Sequence, residues 1–263
     1  MLDQETVRNI FKGEFIGKEI YFLESTESTN DKALEIGKKR EDSEGIVVVA
    51  DSQTKGKGRL GRHWISPPGV NLYFSVILKP DIPPIEAPLI TLAAAVAVSS
   101  VLRTWKGVPA DIKWPNDIMI KGKKVGGILT EMRTSGNEID LVVIGIGLNV
   151  NMPIGDLPED IRSATTTLEI EKDAPSDRAG LLRGLLAGLD NAYKNLLNGN
   201  KRALINGWLS LNCTIGNRII VRDSNRTITG IAENIGQNGE LIVKLESGGT
   251  EVVNAGDVTI LKN

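Results

Sequence analysis

A glycine-rich, cationic segment lies between two runs that read as β-strands, and this order limits the fold more than any other feature of the chain. The apolar run Ile46-Val47-Val48-Val49-Ala50 leads into Gly56-Lys57-Gly58-Arg59-Leu60-Gly61-Arg62-His63-Trp64. Pro67-Pro68-Gly69 then turns the chain into Asn71–Leu78, which is rich in Val, Ile, Leu and aromatic residues. Gly56, Gly58 and Gly61 formally match G-x-G-x-x-G. That fingerprint must open a helix whose N-terminus receives a pyrophosphate, whereas here a tryptophan, two prolines and a strand follow. The dinucleotide-binding reading is therefore excluded, and no P-loop pattern is present. What remains is a strand-to-strand loop that combines close backbone approach with positive charge, suited to closing over an anion.

Around this loop the chain reads as mixed α and β. Residues 1–18 form a short amphipathic start with Val7, Ile10 and Phe11 on one face, and Glu19–Glu24 alternates as a strand does. Ser28-Thr29-Asn30-Asp31 matches a capping box and opens a helix through Ala33, Leu34 and Ile36. Ile85–Trp105 has helical length and an Ala/Leu/Val-rich composition, which predicts a buried helix. Strand-like segments follow at Asp111–Trp114 continuing into Asp117–Ile120, at Lys124–Glu131 and at Glu138–Val150, with turns that predict antiparallel neighbours. Residues 151–175 show no period and read as a loop. Ser176 is expected to cap a helix whose Leu181, Leu182, Leu185, Leu186, Leu189, Tyr193 and Leu196 line one face. From about Cys213 the short runs Arg218–Val221, Thr227–Ile231, Leu241–Leu245, Thr250–Val253 and Val258–Leu261 predict a small β-barrel.

Bulk properties narrow the function classes. A net charge of −2 over 263 residues lacks the basic excess of a nucleic-acid binder. The N-terminus lacks the layout of a signal peptide, and the most apolar stretches, near residues 92–98 and 141–148, fall short of a membrane span. The expectation is a cytoplasmic protein that engages neither membrane nor nucleic acid. The single cysteine, Cys213, excludes an intrachain disulfide and reads as a buried hydrophobe. The single histidine, His63, excludes zinc sites built on paired histidines, and no G-x-S-x-G elbow accompanies it. Catalysis, if present, is expected to work by positioning and charge.

Further segments accompany the loop in a fixed order. They are Ser28-Thr29-Asn30, Gln53, the loop itself, Lys113-Trp114-Pro115-Asn116-Asp117, Lys124-Val125-Gly126-Gly127-Ile128-Leu129 and Gly145-Ile146-Gly147-Leu148-Asn149. Together they resemble the biotin protein ligase family. The resemblance implies an α+β fold, with a mixed sheet and packed helices over residues 1–211 and an SH3-like barrel over 212–263. It implies a ligase that joins biotin to ATP as biotinyl-5'-AMP, releases pyrophosphate and passes biotin to a lysine of a biotin carboxyl carrier protein. Because the chain begins almost at the catalytic motifs, it resembles the monofunctional class, which lacks an N-terminal DNA-binding domain. Mg²⁺ and a homodimer are further implications. Lys57 stands where the family usually has arginine, so the charge is kept and the bidentate fork is lost.

The resemblance places Lys124 near the carboxylate and the α-phosphate, and Arg59 over the adenylate. Two anions brought together in a partly dry site repel by roughly 4 kcal/mol per unit pair. Lys57, Arg59, Arg62 and Lys124 are the cations available to offset this. Biotin's neutral ureido ring needs short hydroxyl and amide partners, which Ser28, Thr29, Asn30 and Gln53 supply, while Gly56, Lys57, Gly58 and Gly127 complete the expected biotin contacts. Arg62, Trp64, Lys113, Asn116, Asp117 and Asn149 are expected to border ATP or the adenylate. Trp64 is equally readable as an apolar wall, a purine platform or a core residue. Asp117 is readable as serving Mg²⁺ or the attacking lysine, and Thr165, Thr166 and Thr167 as bordering adenine. Lipoate–protein ligase is the nearest rival reading; a biotin-sensing transcriptional repressor is the rival of another class.

Overall fold

The computed structural model describes residues 2–223 and 226–261. After a five-residue helix α1 (Gln4–Arg8), strand β1 (Ile20–Thr26), helix α2 (Thr29–Lys39) and strand β2 (Val47–Gln53) form a β-α-β unit. β1 and β2 are parallel, as a helical crossover requires. β3 (Leu72–Leu78) pairs antiparallel with β2, so the glycine-rich segment is the connection between two adjacent strands. Helix α3 (Pro88–Lys106) precedes β4 (Ala110–Lys113), β5 (Asp117–Ile120), β6 (Lys123–Ser135) and β7 (Glu138–Leu148), which complete a seven-stranded sheet in the order β1-β2-β3-β7-β6-β5-β4.

Both faces of this sheet are covered, which explains why β2 and β3 are apolar without alternation. Ala33 of α2 packs with Ile46, Val48, Ile77, Leu141 and Val143 on one face. The opposite-pointing Val47, Val49, Phe74 and Val76 join α3 in the main core. The segment Pro84–Trp105 is long and apolar enough to cross a membrane by length and composition, contrary to the sequence expectation. Its apolarity is used in the interior, since Leu89, Ile90, Leu92, Ala95 and Val98 are buried in that main core.

The stretch between β7 and the next long helix is not a plain loop. It contains the short helices α4 (Glu159–Arg162) and α5 (Leu168–Lys172), the latter capped by Thr167. Helix α6 (Arg178–Leu197) buries the predicted leucine stripe. Its cap is Asp177 and not Ser176: the Asp177 carboxylate accepts from the backbone of Ala179 and Gly180 at 3.1 Å each. Helix α7 (Lys201–Leu211) was not expected; its start, Asn200, makes no side-chain cap, and only Trp208 is fully buried.

Strands β8 (Arg218–Arg222), β9 (Thr227–Ile235), β10 (Leu241–Leu245), β11 (Thr250–Val253) and β12 (Asp257–Ile260) form a separate antiparallel sheet in the order β11-β10-β9-β8-β12. It packs into the same hydrophobic core as the large sheet, through Val221, Ala232, Leu241 and Val243. Trp114 ties the two together. Its backbone N–H donates to Thr214 Oγ1 at 2.8 Å and its indole N–H to the Gly239 carbonyl at 2.9 Å.

Candidate active site

A cavity of about 700 Å³ lies between the start of α2, the β2–β3 loop, strands β4 to β7, the segment 157–165 and β12. One part of its wall is a hydrogen-bonded cluster of hydroxyls and amides, anchored at its edge on the Glu131 carboxylate. Ser28 caps α2, accepting from Asp31 N–H. The Thr29 N–H and hydroxyl donate to Gln53 Oε1 at 2.8 and 3.1 Å, and Gln53 Nε2 donates to Ser66 Oγ at 2.9 Å. Buried Ser75 donates to Asn30 Oδ1 at 2.6 Å, and Asn30 Nδ2 donates to Glu131 Oε2 at 2.7 Å. The two amides are thereby fixed in orientation before any ligand is met.

The floor comes from glycines that face each other in register, Gly127 on β6 and Gly147 on β7. A Cβ at Gly147 would stand 2.5 Å from the Trp64 indole, and one at Gly127 would stand 3.3 Å from it. The absence of side chains at both positions is what lets Trp64 lie against the sheet. Gly145 gives Asn30 the same access, since a Cβ there would collide with the Asn30 carboxamide.

Elsewhere the wall is charged. Asp117 is buried and pairs with Lys113 at 2.9 Å and with Lys124. Burial alone pushes its carboxyl upward, but the two ammonium groups outweigh burial and hold it below the usual carboxylate range. Arg59 donates to Asn116 Oδ1 at 3.0 Å and to the Gly256 carbonyl at 3.1 Å, while Asn116 Nδ2 donates to Ile128 O at 2.7 Å. Burial lowers the Arg59 value, yet guanidinium remains the charged form. The backbone at Lys124 is pinned from outside the sheet: Lys124 N–H donates to Ala164 O at 2.8 Å, and Thr166 N–H donates back to Lys124 O at 2.9 Å.

Of the residues singled out in the sequence, Ser28, Thr29, Asn30, Gln53, Lys57, Gly58, Arg59, Arg62, Trp64, Lys113, Asn116, Asp117, Lys124, Gly127 and Asn149 line this one cavity. Gly56 lies behind the wall, where a Cβ would clash with the Trp64 carbonyl and Ser66. Of Thr165, Thr166 and Thr167, only Thr165 lines the cavity. Thr166 donates to Glu171 at 2.8 Å and Thr167 caps α5. Cys213 is half-buried on the cavity wall. Sequence reasoning missed Ser75, Glu131, Leu157, Ile161 and the β12 residues, all brought in by tertiary contact.

The acids on the wall do not suit a protein-held Mg²⁺. Asp111 is paired with Arg103, Asp117 with two lysines and Asp257 with Arg62. Among the described residues no three His, Cys, Asp or Glu side chains cluster into an all-protein metal cage.

The cavity's composition agrees with what the chain is similar to. Residues 22–149 match the profile of the biotin/lipoate A/B protein ligase family, and residues 214–261 that of the biotin protein ligase C-terminal domain. The bifunctional ligase/repressor BirA of Bacillus spizizenii is 35% identical over 254 residues, covering 97% of this chain and 78% of that protein. The biotin–[acetyl-CoA-carboxylase] ligase of Mycobacterium tuberculosis is 32% identical, with 99% and 96% covered. Among solved structures, the biotin protein ligase of Aquifex aeolicus in complex with biotin and ATP superposes with a TM-score of 0.79 at 29% identity, covering 94% of this chain and all of that one. With this similarity running through both sheets, the chain belongs to the biotin protein ligase family.

Proposed function

We propose that this cavity makes biotinyl-5'-AMP from biotin and ATP and then biotinylates a lysine of an acceptor protein. The observation that carries the reading is the division of one wall into a pre-oriented amide and hydroxyl cluster and a lysine/arginine cluster, with Trp64 on its glycine floor between them. Ser28, Thr29, Asn30 and Gln53 receive the ureido ring. A buried donor or acceptor left unpaired costs about 1–3 kcal/mol, so a ligand lacking these groups is rejected. Gly58, Lys57 and Gly127 shape the channel for the acyl chain, and Gly56 keeps the loop close to Trp64.

In the first step a biotin carboxylate oxygen bonds to the α-phosphorus, the bond to the β-phosphate bridging oxygen breaks, and pyrophosphate leaves. Lys124 and Arg59 are the catalytic residues here, offsetting the repulsion between the two anions and the negative charge on the α-phosphate oxygens. Lys113, Asn116, Asn149, Arg62 and Trp64 border the nucleotide. Asp117 holds Lys113 and Lys124 in place; any Mg²⁺ arrives on the phosphates of ATP. In the second step the neutral acceptor amine bonds to the acyl carbon, its nitrogen gives up a proton to solvent, and AMP leaves with the electron pair of the broken carbon–oxygen bond.

The acceptor in this reading is a biotin carboxyl carrier domain, and the working form is a homodimer in the cytoplasm. Residues 1–211 carry the chemistry and 212–263 form the second unit. Pyrophosphate release dependent on both biotin and ATP tests the reading. Release driven by lipoate and not by biotin would overturn it.

A further inference from the structure

The β2–β3 loop is a small hairpin with its own internal bonds. Gly58 N–H donates to Arg62 O at 2.7 Å, Arg62 N–H to Arg59 O at 3.2 Å and Trp64 N–H to Gly56 O at 2.8 Å. Leu60 at its tip adopts a left-handed conformation (φ 56°) with its side chain exposed. Bonds of this kind keep the loop's shape but leave its orientation to outside contacts. At its tip those contacts come from Asn116, which accepts from Arg59 at 3.0 Å, and from the turn into β12. Arg62 pairs with the Asp257 carboxylate, and Arg59 donates to the carbonyl of the preceding residue, Gly256, at 3.1 Å. Two adjacent residues at the start of β12 thus hold guanidinium groups three positions apart on the loop.

The grip is itself firmly mounted. Asp257 is in register with Arg222 of β8, and a Cβ at Gly256 would stand 2.6 Å from Val221 Cγ1, so the turn into β12 is packed against its own sheet. Asp257, Val258, Thr259 and Ile260 also line the cavity directly.

We propose that Asp257 is a positioning residue for adenylate chemistry. By holding Arg62 it keeps the loop closed over the acyl-adenylate, and the C-terminal sheet serves as the second jaw of the site. The inference rests on the adenylating-ligase reading above. Its consequence is protection from hydrolysis. With the jaw loosened, a water oxygen bonds to the acyl carbon, the carbon–oxygen bond to phosphate breaks, and free biotin and AMP result. The pair is partly exposed, with Arg62 at 64% and Asp257 at 31% side-chain accessibility. Its loss therefore shifts closure modestly, by about fivefold.

The test uses the full chain with biotin and ATP and no acceptor. Wild type gives a burst of one pyrophosphate per chain and then a slow phase. In Asp257→Asn the burst persists, the slow phase rises about fivefold, and trypsin cuts after Lys57 and Arg59 faster by a similar factor. Asp257→Ala, which removes the carboxylate altogether, does the same. Asp257→Glu, which keeps a carboxylate opposite Arg62, returns both readouts toward wild type. A slow phase and cleavage rate unchanged in Asp257→Asn and Asp257→Ala, with the burst intact, overturn this inference and leave the ligase reading standing. No burst in wild type overturns both.

Discussion

The ammonium of Lys124 lies 5.5 Å from the centroid of the Trp64 ring, over an indole that rests on Gly127 and Gly147. A lysine on β6 and a tryptophan at the end of the β2–β3 loop are thereby joined where sheet and loop meet. Contacts of this kind contribute about 0.5–1 kcal/mol at partly exposed sites. Loop position and the charge needed for chemistry are coupled through this pair.

Lys124→Ala is expected to abolish biotin-dependent pyrophosphate release. Removing a cation that offsets roughly 4 kcal/mol of repulsion slows the step by about a thousandfold. Pre-steady-state pyrophosphate detection measures it, and an unchanged rate would remove Lys124 from the site.

Gly147→Ala places a methyl group 2.5 Å from the Trp64 indole, so the ring must leave the floor. Overpacking of this sort costs about 1–3 kcal/mol, and calorimetry is expected to show biotin binding weakened by about ten- to a hundredfold. Gly155→Ala, where nothing lies within 4 Å of the added carbon, is the matched control and leaves affinity unchanged.

Asp117 is held below the ordinary carboxylate value by Lys124 and Lys113, against the upward push of burial. A lowered folded-state value means that its contribution to stability is complete above the unfolded value and disappears as pH falls through the folded one. Asp117→Asn is expected to cost about 1.5–3 kcal/mol in urea unfolding at pH 7 and progressively less in strong acid. Equal destabilisation at pH 7 and pH 2 would contradict this.

Cys213 is pushed up to about 11, chiefly by burial. Its thiolate population at pH 8 is then about a hundredfold below that of a thiol at 9.0, and alkylation in the folded protein is expected to slow on that order. Mass spectrometry after iodoacetamide treatment reads the rate, and denaturation restores it.

Local chemistry explains which parts of this structure could be read from the chain. The β2–loop–β3 order, the Ser28 cap and the leucine stripe of α6 all show in patterns spanning a few residues. Ser176 and Asp177 illustrate the limit. Both are cap-competent neighbours, and only the geometry of the incoming chain selects Asp177. The three threonines at 165–167 divide among cavity wall, Glu171 and helix cap because residues 164–166 align beside Lys124, a pairing without local signature. Asp257 meets Arg62 across 195 positions of sequence, and nothing near either residue announces it. The Arg59–Asn116 bond and the role of Ser75 are hidden in the same way. The apolar run 92–98 is by itself too short to span a membrane, yet the whole helix is long enough; its burial against the sheet is again a tertiary fact.

The most direct measurement is labelling of a purified biotin carboxyl carrier domain by the full chain, followed by intact mass. The account predicts one added biotinyl group on a single lysine, dependent on ATP and biotin together and lost in Lys124→Ala. No mass increase with biotin and ATP, or an equal increase without ATP, would contradict it.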